Sequence, residues 1–325
     1  MTAILVAGGA GYIGSQTCKA LKAAGFLPVT LDNLSTGYRQ AVKFGPLVEA
    51  DLRDRDTIRK TVEQYGIKAA IHFAAYSLVG ESVRDPAKYY DNNVGAATAF
   101  ASALIDAGVG ALVFSSTAAV YGVPTVSPIP ENHPTNPINP YGATKLAFEG
   151  ALRWLGEAHP FAWTALRYFN AAGADPDGEV GESHEPETHL IPNLCKAALG
   201  TGPALTVFGQ DYDTPDGTPI RDYIHVVDLA EAHVLAIRRL LGGGDSGVFN
   251  VGTGQGCTVM QILDAAERVL GRKVPYSVGP RRAGDPPSLV ADSSRLKAAF
   301  GWAPVRSDLD SIIADAARWQ AQRSY

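Results

Sequence analysis

The chain has few cysteines, no long apolar run and no long basic run, and so lacks features of secreted, membrane and nucleic-acid-binding proteins. Three scattered cysteines, Cys18, Cys195 and Cys257, form neither a disulfide framework nor a metal-binding spacing, which fits a reducing compartment. No apolar run approaches the ~20 residues of a membrane span, and the apolar start lacks the basic residues of a signal peptide. The net charge of −5 includes no long basic run, which argues against nucleic acid or a membrane surface as a partner. We therefore expect a cytoplasmic protein that uses no metal.

Apolar residues are plentiful, at 46% of 325 residues, but in the first half they occur in short runs that alternate with helical patterns. The predicted strands are 3–7, 28–31, 46–49, 69–73, 111–115 and 162–167. The predicted helices are 13–24, 54–65, 86–108 and 141–158. This alternation is typical of right-handed βαβ units in a parallel sheet with helices on both faces.

The second half of the chain has a different composition. Glycine, proline and acidic residues are dense through 173–188 and 209–219, which predicts surface loops around a smaller lobe. Segments 221–225 and 247–252 are typical of strands with a helix at 227–241 between them, and we predict that they return to the first sheet. The expected fold class is α/β, a doubly wound parallel Rossmann sheet with a smaller α+β substrate-binding C-terminal domain. The predicted domains are 1–169 with about 222–251, and 170–221 with 252–325.

The first fourteen residues predict a binding site for a pyrophosphate. The apolar run 3–7 is long enough for a buried strand, and Gly8, Gly11 and Gly14 follow at three-residue spacing before a helix. Glycines let phosphates approach the backbone, and the exposed amides of a helix N-terminus favour negative charge. Asp32 ends the second predicted strand, where an acid accepts the ribose hydroxyls of NAD and repels the 2′-phosphate of NADP. The simpler alternative is an ordinary strand-turn-helix.

Tyr141 and Lys145 form the second chemical signal. Asn139 and Pro140 precede them and suit a helix N-cap and first turn, so that the two side chains share one helix face. A lysine ammonium, together with a positive nicotinamide ring, lowers the pKa of a tyrosine and favours its phenolate. The phenolate can then take a proton from a substrate hydroxyl while hydride leaves the same carbon. An isolated Tyr/Lys pair would more often be an ordinary surface pair.

A hydroxyl-rich segment, 115–122, follows the predicted strand 111–115. Small hydroxyls at the end of that strand can hydrogen-bond the reacting oxygen. The alternative is a Ser/Thr turn that only caps the strand.

The glycine turn, the hydroxyl-rich segment and the Tyr/Lys pair, in this order, resemble the extended short-chain dehydrogenase/reductase superfamily. Within it the chain closely resembles the UDP-glucose 4-epimerases over essentially its full length. Further segments that carry the resemblance are Asp32–Gly37, Asp51-Leu52, His72–Ala75, Val79–Ser82, Tyr89–Asn93, Leu166–Asn170, Arg221–His225 and Arg281–Asp285.

The resemblance implies NAD as the cofactor, Tyr141 as the base, Lys145 as its partner and Thr117 as the hydroxyl beside them. The residues implied to contact the pyrophosphate, the adenosine or the nicotinamide are Gly8, Gly11, Tyr12, Ile13, Gly14, Asp32, Asn33, Leu34, Ser35, Thr36, Gly37, Asp51, Leu52, Phe73, Ala74, Ala75, Asn92, Ser115, Tyr141, Lys145 and Phe169.

The resemblance also implies a UDP-sugar site. The nucleotide sugar, the uracil, the diphosphate and the uridine ribose are implied to contact Thr117, Tyr141, Asn170, His189, Leu190, Thr206, Val207, Phe208, Arg221, Arg282, Asp285 and Leu289. For the arginines there is also a physical reason, since guanidinium groups match phosphate oxygens bidentately.

The expected reaction is reversible interconversion of UDP-glucose and UDP-galactose. Hydride passes from carbon 4 to NAD, the keto sugar turns over, and hydride returns to the other face, so that NAD is regenerated and stays bound. Most of the binding energy is expected in the nucleotide, which does not react.

Three other functions compete with this one. A 4,6-dehydratase needs an Asp-Glu pair just after Thr117, where this chain has Ala118 and Ala119. A non-catalytic NAD sensor would not need the Tyr/Lys pair. A 4-epimerase of UDP-N-acetylhexosamine or UDP-pentose stays open, because Leu289 stands where some relatives carry a bulkier tyrosine. Ser77 stands where some relatives carry a lysine, so its contact with the cofactor phosphates is open too.

Helices 86–108 and 141–158 carry small and apolar residues beyond one stripe. In the superfamily the corresponding helices pack between two subunits, so the resemblance implies a homodimer. The alternative is burial of both helices within one chain.

Overall fold

The protein is described by a computed structural model, which covers residues 1–282 and 285–325. The strands are β1 (Ala3–Ala7), β2 (Leu27–Asp32), β3 (Leu47–Glu49), β4 (Ile67–His72), β5 (Ala111–Thr117), β6 (Ala162–Tyr168), β7 (Asn170–Ala172), β8 (Leu205–Phe208), β9 (Ile220–His225), β10 (Gly247–Val251), β11 (Gly256–Thr258), β12 (Tyr276–Gly279) and β13 (Ser288–Leu289). The helices are α1 (Tyr12–Ala23), α2 (Arg55–Tyr65), α3 (Val79–Arg84), α4 (Pro86–Tyr90), α5 (Ala97–Asp106), α6 (Pro140–Ala158), α7 (Leu190–Leu199), α8 (Val226–Leu241), α9 (Val259–Leu270), α10 (Ser294–Phe300) and α11 (Leu309–Gln322).

Seven parallel strands form the main sheet in the order β10-β6-β5-β4-β1-β2-β3. All five residues of β1 are buried, because helices cover both faces of the sheet. One apolar core joins Phe100 of α5 and Phe148 of α6 to one face, and another joins Leu229 and Ile237 of α8 to the other. The predicted doubly wound α/β fold is confirmed.

The sheet reverses its winding direction beside its central strand. The chain runs from β1 outward through β2 to β3, and then crosses back to β4 on the other side of β1. The carboxyl ends of β1 and β4 therefore flank a crevice, which is where open α/β sheets bind ligands.

The predicted helix 86–108 is interrupted. Between α4 and α5 the residues Asp91–Ala96 form a π-helical turn, which inserts an extra residue into the helix. Within it, the Asn93 side chain accepts a hydrogen bond from the Tyr76 amide at 2.9 Å and donates one to the Tyr76 carbonyl at 2.9 Å. The turn thus fastens the loop that follows β4 to the helix.

One strand departs from the prediction. β10 pairs with β6 and extends the main sheet, as expected, but β9 pairs with β7, β11 and β13 in a second sheet. Asp222 of β9 is fully buried and accepts backbone hydrogen bonds from Thr253, Gly254 and Ala291 at 2.9 to 3.1 Å. These bonds satisfy the buried carboxylate and tie β9 to the segments that follow β10 and β13.

The second lobe has its own core. Residues of α7, α9 and α11 pack together with β8, which pairs in parallel with β12. Among the described residues, no helix is long and apolar enough to cross a membrane.

Candidate active site

Two glycines of the turn between β1 and α1 are packed against the backbone, and the third faces open space. Gly8 has a φ of +80°, and a Cβ there would lie 2.6 Å from the Ala74 amide nitrogen. A Cβ on Gly14 would lie 2.1 Å from the Gly8 carbonyl oxygen, so these two glycines are required by close backbone approach. Gly11 differs, because a Cβ there would meet only that oxygen, at 3.4 Å. Its missing side chain keeps the surface of the turn open.

The N-terminus of α1 is prepared for an anion. Gly11 is its N-cap and provides no side-chain hydrogen bond, and the first turn contains no acidic residue. The first amides of a helix lack internal partners and carry a partial positive charge. A small, partly open cavity lies beside this turn, lined by Ala10, Gly11 and Tyr12. These residues fit a pyrophosphate.

Asp32 lies at the end of β2 and is fixed against the glycine turn. One carboxylate oxygen accepts from the Ala10 amide at 3.0 Å and the other from the Leu34 amide at 2.9 Å. Burial raises the pKa of Asp32, and both backbone hydrogen bonds oppose that rise. Each oxygen retains a lone pair that can accept from a ribose hydroxyl.

The residues after Asp32 form the predicted adenosine side of the site. Leu34 has a φ of +56°, a left-handed conformation that is costly for leucine. The side-chain amide of Asn33 donates to the Asp51 carboxylate at 3.1 Å. A Cβ on Gly37 would lie 2.9 Å from the Ala10 Cβ. Together with Ser35, Thr36 and the buried Leu52, these residues follow the carboxyl ends of β2 and β3.

Phe73, Ala74 and Ala75 follow β4 on the other side of the crevice. The amides of Phe73 and Ala74 both donate to the Ala7 carbonyl, at 2.8 and 3.2 Å, so this segment lies against the glycine turn. Asn92, in the π-helical turn, donates its side-chain amide to Asn93 at 3.1 Å.

Tyr141 and Lys145 project from the first turns of α6, as the sequence predicts. The helix begins because Asn139 accepts from the Gly142 amide at 2.9 Å. The Lys145 ammonium is buried, donates to the Ser115 carbonyl at 2.8 Å and lies 5.9 Å from the centre of the Tyr141 ring. The main chain of β5 therefore positions the lysine beneath the tyrosine.

Burial dominates the electrostatics of this pair. It lowers the pKa of Lys145 to about 7, against the attraction of the Glu149 carboxylate. It raises the pKa of Tyr141, and a hydrogen bond with the Thr117 hydroxyl opposes the rise. The sequence led us to expect a lowered tyrosine pKa. That expectation included a bound nicotinamide and stays a prediction; in the chain by itself the ammonium is directed at Ser115, and burial raises the pKa of Tyr141.

The hydroxyl-rich segment has two distinct parts. The Ser115 hydroxyl is hydrogen-bonded to the Tyr168 hydroxyl, so Ser115 meets the site through its carbonyl group. The Thr117 hydroxyl accepts from the Ala119 amide at 3.2 Å and lies near enough to Tyr141 to oppose the rise of that tyrosine's pKa. Thr117 therefore has the predicted capping role, and its predicted hydrogen bond to the reacting oxygen stays a prediction.

Ser116 leads to a buried polar network that the sequence analysis did not find. Its hydroxyl donates to Glu149, whose carboxylate forms a bidentate ion pair with Arg167, with the Nε–Oε1 distance at 2.9 Å. Arg167 also donates to the Tyr121 hydroxyl at 3.0 Å, and that hydroxyl donates to Asn250 at 2.7 Å. The network connects β5, β6, β10 and α6 directly behind the Tyr/Lys pair.

Phe169 and Leu289 meet at the carboxyl end of β5. Both pack against a small buried cluster that includes Ala118 and Val120. Leu289 lies on β13 opposite Arg221 of β9. This cluster joins the second lobe to the Thr117 side of the site, and Asn170 begins β7 beside it.

The predicted nucleotide contacts lie in the second lobe. Arg221 is paired with Asp285, and the Arg282 guanidinium lies 4.2 Å from the centre of the Phe208 ring. Thr206 and Val207 precede Phe208 on β8. The tertiary structure thus brings the predicted diphosphate and uracil segments together. Ala283 and Gly284, which belong to the same sequence motif as Arg282, lie outside the described residues.

His189 is held between two acidic side chains. Its Nδ1 lies 2.7 Å from a carboxylate oxygen of Glu182 and 3.1 Å from one of Glu187. Although burial lowers it, these carboxylates raise the pKa of His189 to about 10. The two carboxylates compensate the charge of the histidine, and the predicted contact of His189 and Leu190 with the nucleotide sugar stays a prediction.

His184 completes this cluster, since its Nδ1 lies 3.1 Å from Glu182. Ligand atoms of Glu182, His184, Glu187 and His189 all lie within 4.8 Å of one another and could also hold a metal ion. The absence of a metal therefore stays a prediction. Sequence reasoning missed Glu182, His184 and Glu187, although the local pattern Glu-x-His-x-x-Glu-x-His is a signal that could have found them.

Replacing His189 with asparagine is expected to lower the melting temperature most at pH 6. A histidine whose pKa is raised on folding contributes its full stabilisation below about 6.5, and the contribution is lost as the pH rises through 10. Thermal denaturation of wild type and His189→Asn at pH 6, 8 and 10 measures this, with the exposed His159→Asn as control. A difference that does not change with pH contradicts the assignment.

The fold and the site together define a nicotinamide-dinucleotide enzyme that removes and returns hydride at a hydroxyl-bearing carbon. A glycine turn, an acid at the end of the next strand and a buried Tyr/Lys pair occupy one crevice. The chain belongs to the NAD dependent epimerase/dehydratase family, whose model matches residues 4–252.

Individual relatives are similar over nearly their whole length. The UDP-glucose 4-epimerase of Lactobacillus helveticus is 49% identical over 97% of this chain and 96% of its own. The crystal structure of UDP-glucose 4-epimerase from Brucella ovis in complex with NAD is 50% identical, with a TM-score of 0.96 over 98% of this chain and 99% of that one. That from Bifidobacterium longum in complex with NAD+ and UDP is 37% identical, with a TM-score of 0.93 over 99% of each chain.

Proposed function

We propose that the chain interconverts UDP-glucose and UDP-galactose by inverting carbon 4, with NAD bound throughout. The observation that supports this proposal best is that Tyr141, Lys145 and Thr117 lie at the carboxyl end of β5, at the same edge of the parallel sheet as the glycine turn after β1. The near full-length similarity to UDP-glucose 4-epimerases supports the substrate.

Each side chain has a separate task in this reaction. When bound, NAD supplies the nicotinamide that takes hydride from carbon 4 and gives it back. Tyr141 accepts the proton of the carbon-4 hydroxyl and later returns it, while Thr117 orients that oxygen. Lys145, fixed by the Ser115 carbonyl, supplies positive charge below the tyrosine when it is protonated.

The proposed site would bind the nucleotide of the substrate more tightly than the sugar, and this difference allows the sugar to be inverted. Arg221, Arg282, Phe208 and His189 provide charge and an aromatic face for the nucleotide. The sugar side offers Ala118 and other small or apolar groups, so the keto sugar can turn while the nucleotide stays fixed. Binding energy placed on the part that does not react makes this possible.

The assay is direct. Purified protein supplied with UDP-galactose should form UDP-glucose without added reductant, and UDP-glucose dehydrogenase with NAD reports the product. Absence of product from folded protein that contains NAD would refute the proposal.

Replacing Leu289 with tyrosine is expected to lower the ratio of kcat/KM for UDP-N-acetylgalactosamine to that for UDP-galactose by about tenfold or more. Leu289 packs in the cluster beside Ala118, so a bulkier ring would take space from a 2-acetamido group. Side-by-side kinetics of wild type and variant on both sugars measure the ratio. An unchanged ratio would show that Leu289 does not limit the sugar, and wild-type preference for the N-acetylated sugar would favour the alternative function.

The remaining assignments are proposals on the same footing. The main sheet with α1 would bind NAD, and the lobe around β8 and β9 would bind the nucleotide sugar. Three free cysteines support a cytoplasmic location.

We also infer a homodimer through the predicted helices 86–108 and 141–158. Most of their apolar residues, such as Phe100 and Phe148, are buried within the chain itself, as the alternative expects. Tyr90 on α4 and Trp154 on α6, however, are 47% and 62% exposed, which is unusual for large apolar side chains. Light scattering at micromolar concentration tests it. Trp154→Arg should shift the mass from two chains to one, whereas one chain in the wild type would contradict the proposal.

A further inference from the structure

The cavity beside the glycine turn has an outer wall from a distant part of the chain. Its inner side is Ala10, Gly11 and Tyr12, where the pyrophosphate is expected. Its outer side is formed by Gly181, Ser183 and His184, and Tyr38 and Tyr325 also line it. None of the outer residues belongs to the motifs that predict cofactor binding.

The outer wall is fastened by residues of α11. The Trp319 indole donates to the Glu182 carbonyl at 2.8 Å. A Cβ on Gly181 would lie 2.4 Å from the Trp319 ring, so the chain passes directly across that ring and only glycine fits there. Segment 181–184 therefore takes its position from α11.

Tyr325 joins this wall to the cofactor side. Its main-chain oxygen accepts from the Ser183 hydroxyl at 2.6 Å, and its own hydroxyl accepts weakly from the Gly181 amide at 3.4 Å. Its ring lies 5.0 Å from the Trp319 ring and 5.0 Å from the Tyr38 ring.

Tyr38 in turn belongs to the glycine turn. Its amide donates to the Ala10 carbonyl at 3.0 Å. A continuous chain of contacts thus runs from Trp319 through Tyr325 and Tyr38 to Ala10, and both tyrosines line the cavity. Loosening these contacts would loosen the wall that faces the glycine turn.

We propose that Tyr325 latches the outer wall of the cofactor pocket and slows the release of NAD. The inference rests in part on the proposed reaction, which requires that the cofactor be retained. A chain that lost its cofactor after the first hydride transfer would be left with a keto sugar that it could not reduce. Retention is then part of the catalytic cycle. The latch acts through Tyr38 and Ser183, so Tyr325 is a positioning residue.

Tyr325→Ala tests the latch through release of NAD itself. Purified protein containing NAD is diluted into buffer, and free and bound NAD are separated and quantified over time. The dissociation rate is expected to rise about tenfold, the size expected for the loss of two aromatic contacts. Saturating NAD added back should recover the activity that is lost through faster release of NAD, which separates cofactor retention from damage to the sugar site.

Three variants serve as comparisons. Tyr325→Phe keeps both ring contacts and should release NAD nearly as slowly as the wild type. Ser183→Ala removes the hydrogen bond to the Tyr325 main chain and should accelerate release by a smaller factor. Tyr276→Ala removes a tyrosine on β12, which does not line the cavity, and should leave the rate unchanged.

An unchanged dissociation rate in folded Tyr325→Ala overturns the proposal, as does a changed KM for UDP-galactose without faster release of NAD. If Tyr325→Ala does not fold, Ser183→Ala decides: faster release supports the latch and wild-type release overturns it. Because release of NAD is measured without substrate, failure of the latch is distinguishable from failure of the proposed function.

Discussion

Tyr141→Phe is expected to lower kcat for UDP-galactose by about 10³-fold while leaving NAD bound. The substitution removes only the hydroxyl that accepts the substrate proton, and general acid–base groups contribute about 10²–10⁴-fold. The ring, its place on α6 and the Lys145–Ser115 hydrogen bond all remain. Steady-state kinetics together with the NAD content of the purified variant measure the effect.

A matched control uses another tyrosine. Tyr65 is the last residue of α2, outside the crevice, and Tyr65→Phe should retain wild-type kcat. If Tyr141→Phe retained wild-type activity, another group would have to accept the proton and the mechanism would be wrong. If it lost NAD as well, the low activity would reflect an empty site, and adding NAD would distinguish the two cases.

Arg167→Met is expected to lower the free energy of unfolding by about 3–5 kcal/mol. The Arg167 and Glu149 side chains are each only 6% exposed, and the arginine contacts both carboxylate oxygens. Removing one member of a buried ion pair leaves the other charge without compensation in a poorly solvating interior. Urea denaturation of wild type and variant measures the difference.

The double variant Glu149→Met with Arg167→Met separates charge from packing. Replacing both members of a buried ion pair by apolar groups is often nearly neutral, so the double variant should recover much of the lost stability. A double variant that is less stable than Arg167→Met would contradict the assignment. In that case the hydrogen bonds to Ser116 and Tyr121 would be the dominant contribution.

Local patterns in the sequence were sufficient for the elements that hold the cofactor. Asn139, Tyr141 and Lys145 lie within seven positions, and helix geometry alone places the last two on one face. Gly8 and Gly14 are required by backbone approach within one turn, and Asp32, a proposed cofactor contact, ends the next strand. Such features can be predicted from the sequence because they depend only on residues that are close along the chain.

The direction of the pKa of Tyr141 could not be obtained in this way. A spacing of four residues brings Lys145 near, but it does not show that the ammonium is bonded to Ser115, 30 positions away. The balance between desolvation and attraction depends on what surrounds both groups, which only the packed structure specifies.

The amino-acid sequence by itself determined the doubly wound sheet, the glycine cradle and the Tyr/Lys pair, because periodicity, turn chemistry and helix spacing are local properties. The tertiary structure alone decided that β9 joins the second sheet, that Arg167 neutralises Glu149, and that Tyr325 reaches a segment 142 positions away. The physical reason is that a buried charge or an aromatic contact is satisfied by any partner of suitable chemistry, so its identity is fixed only when packing brings one candidate within reach.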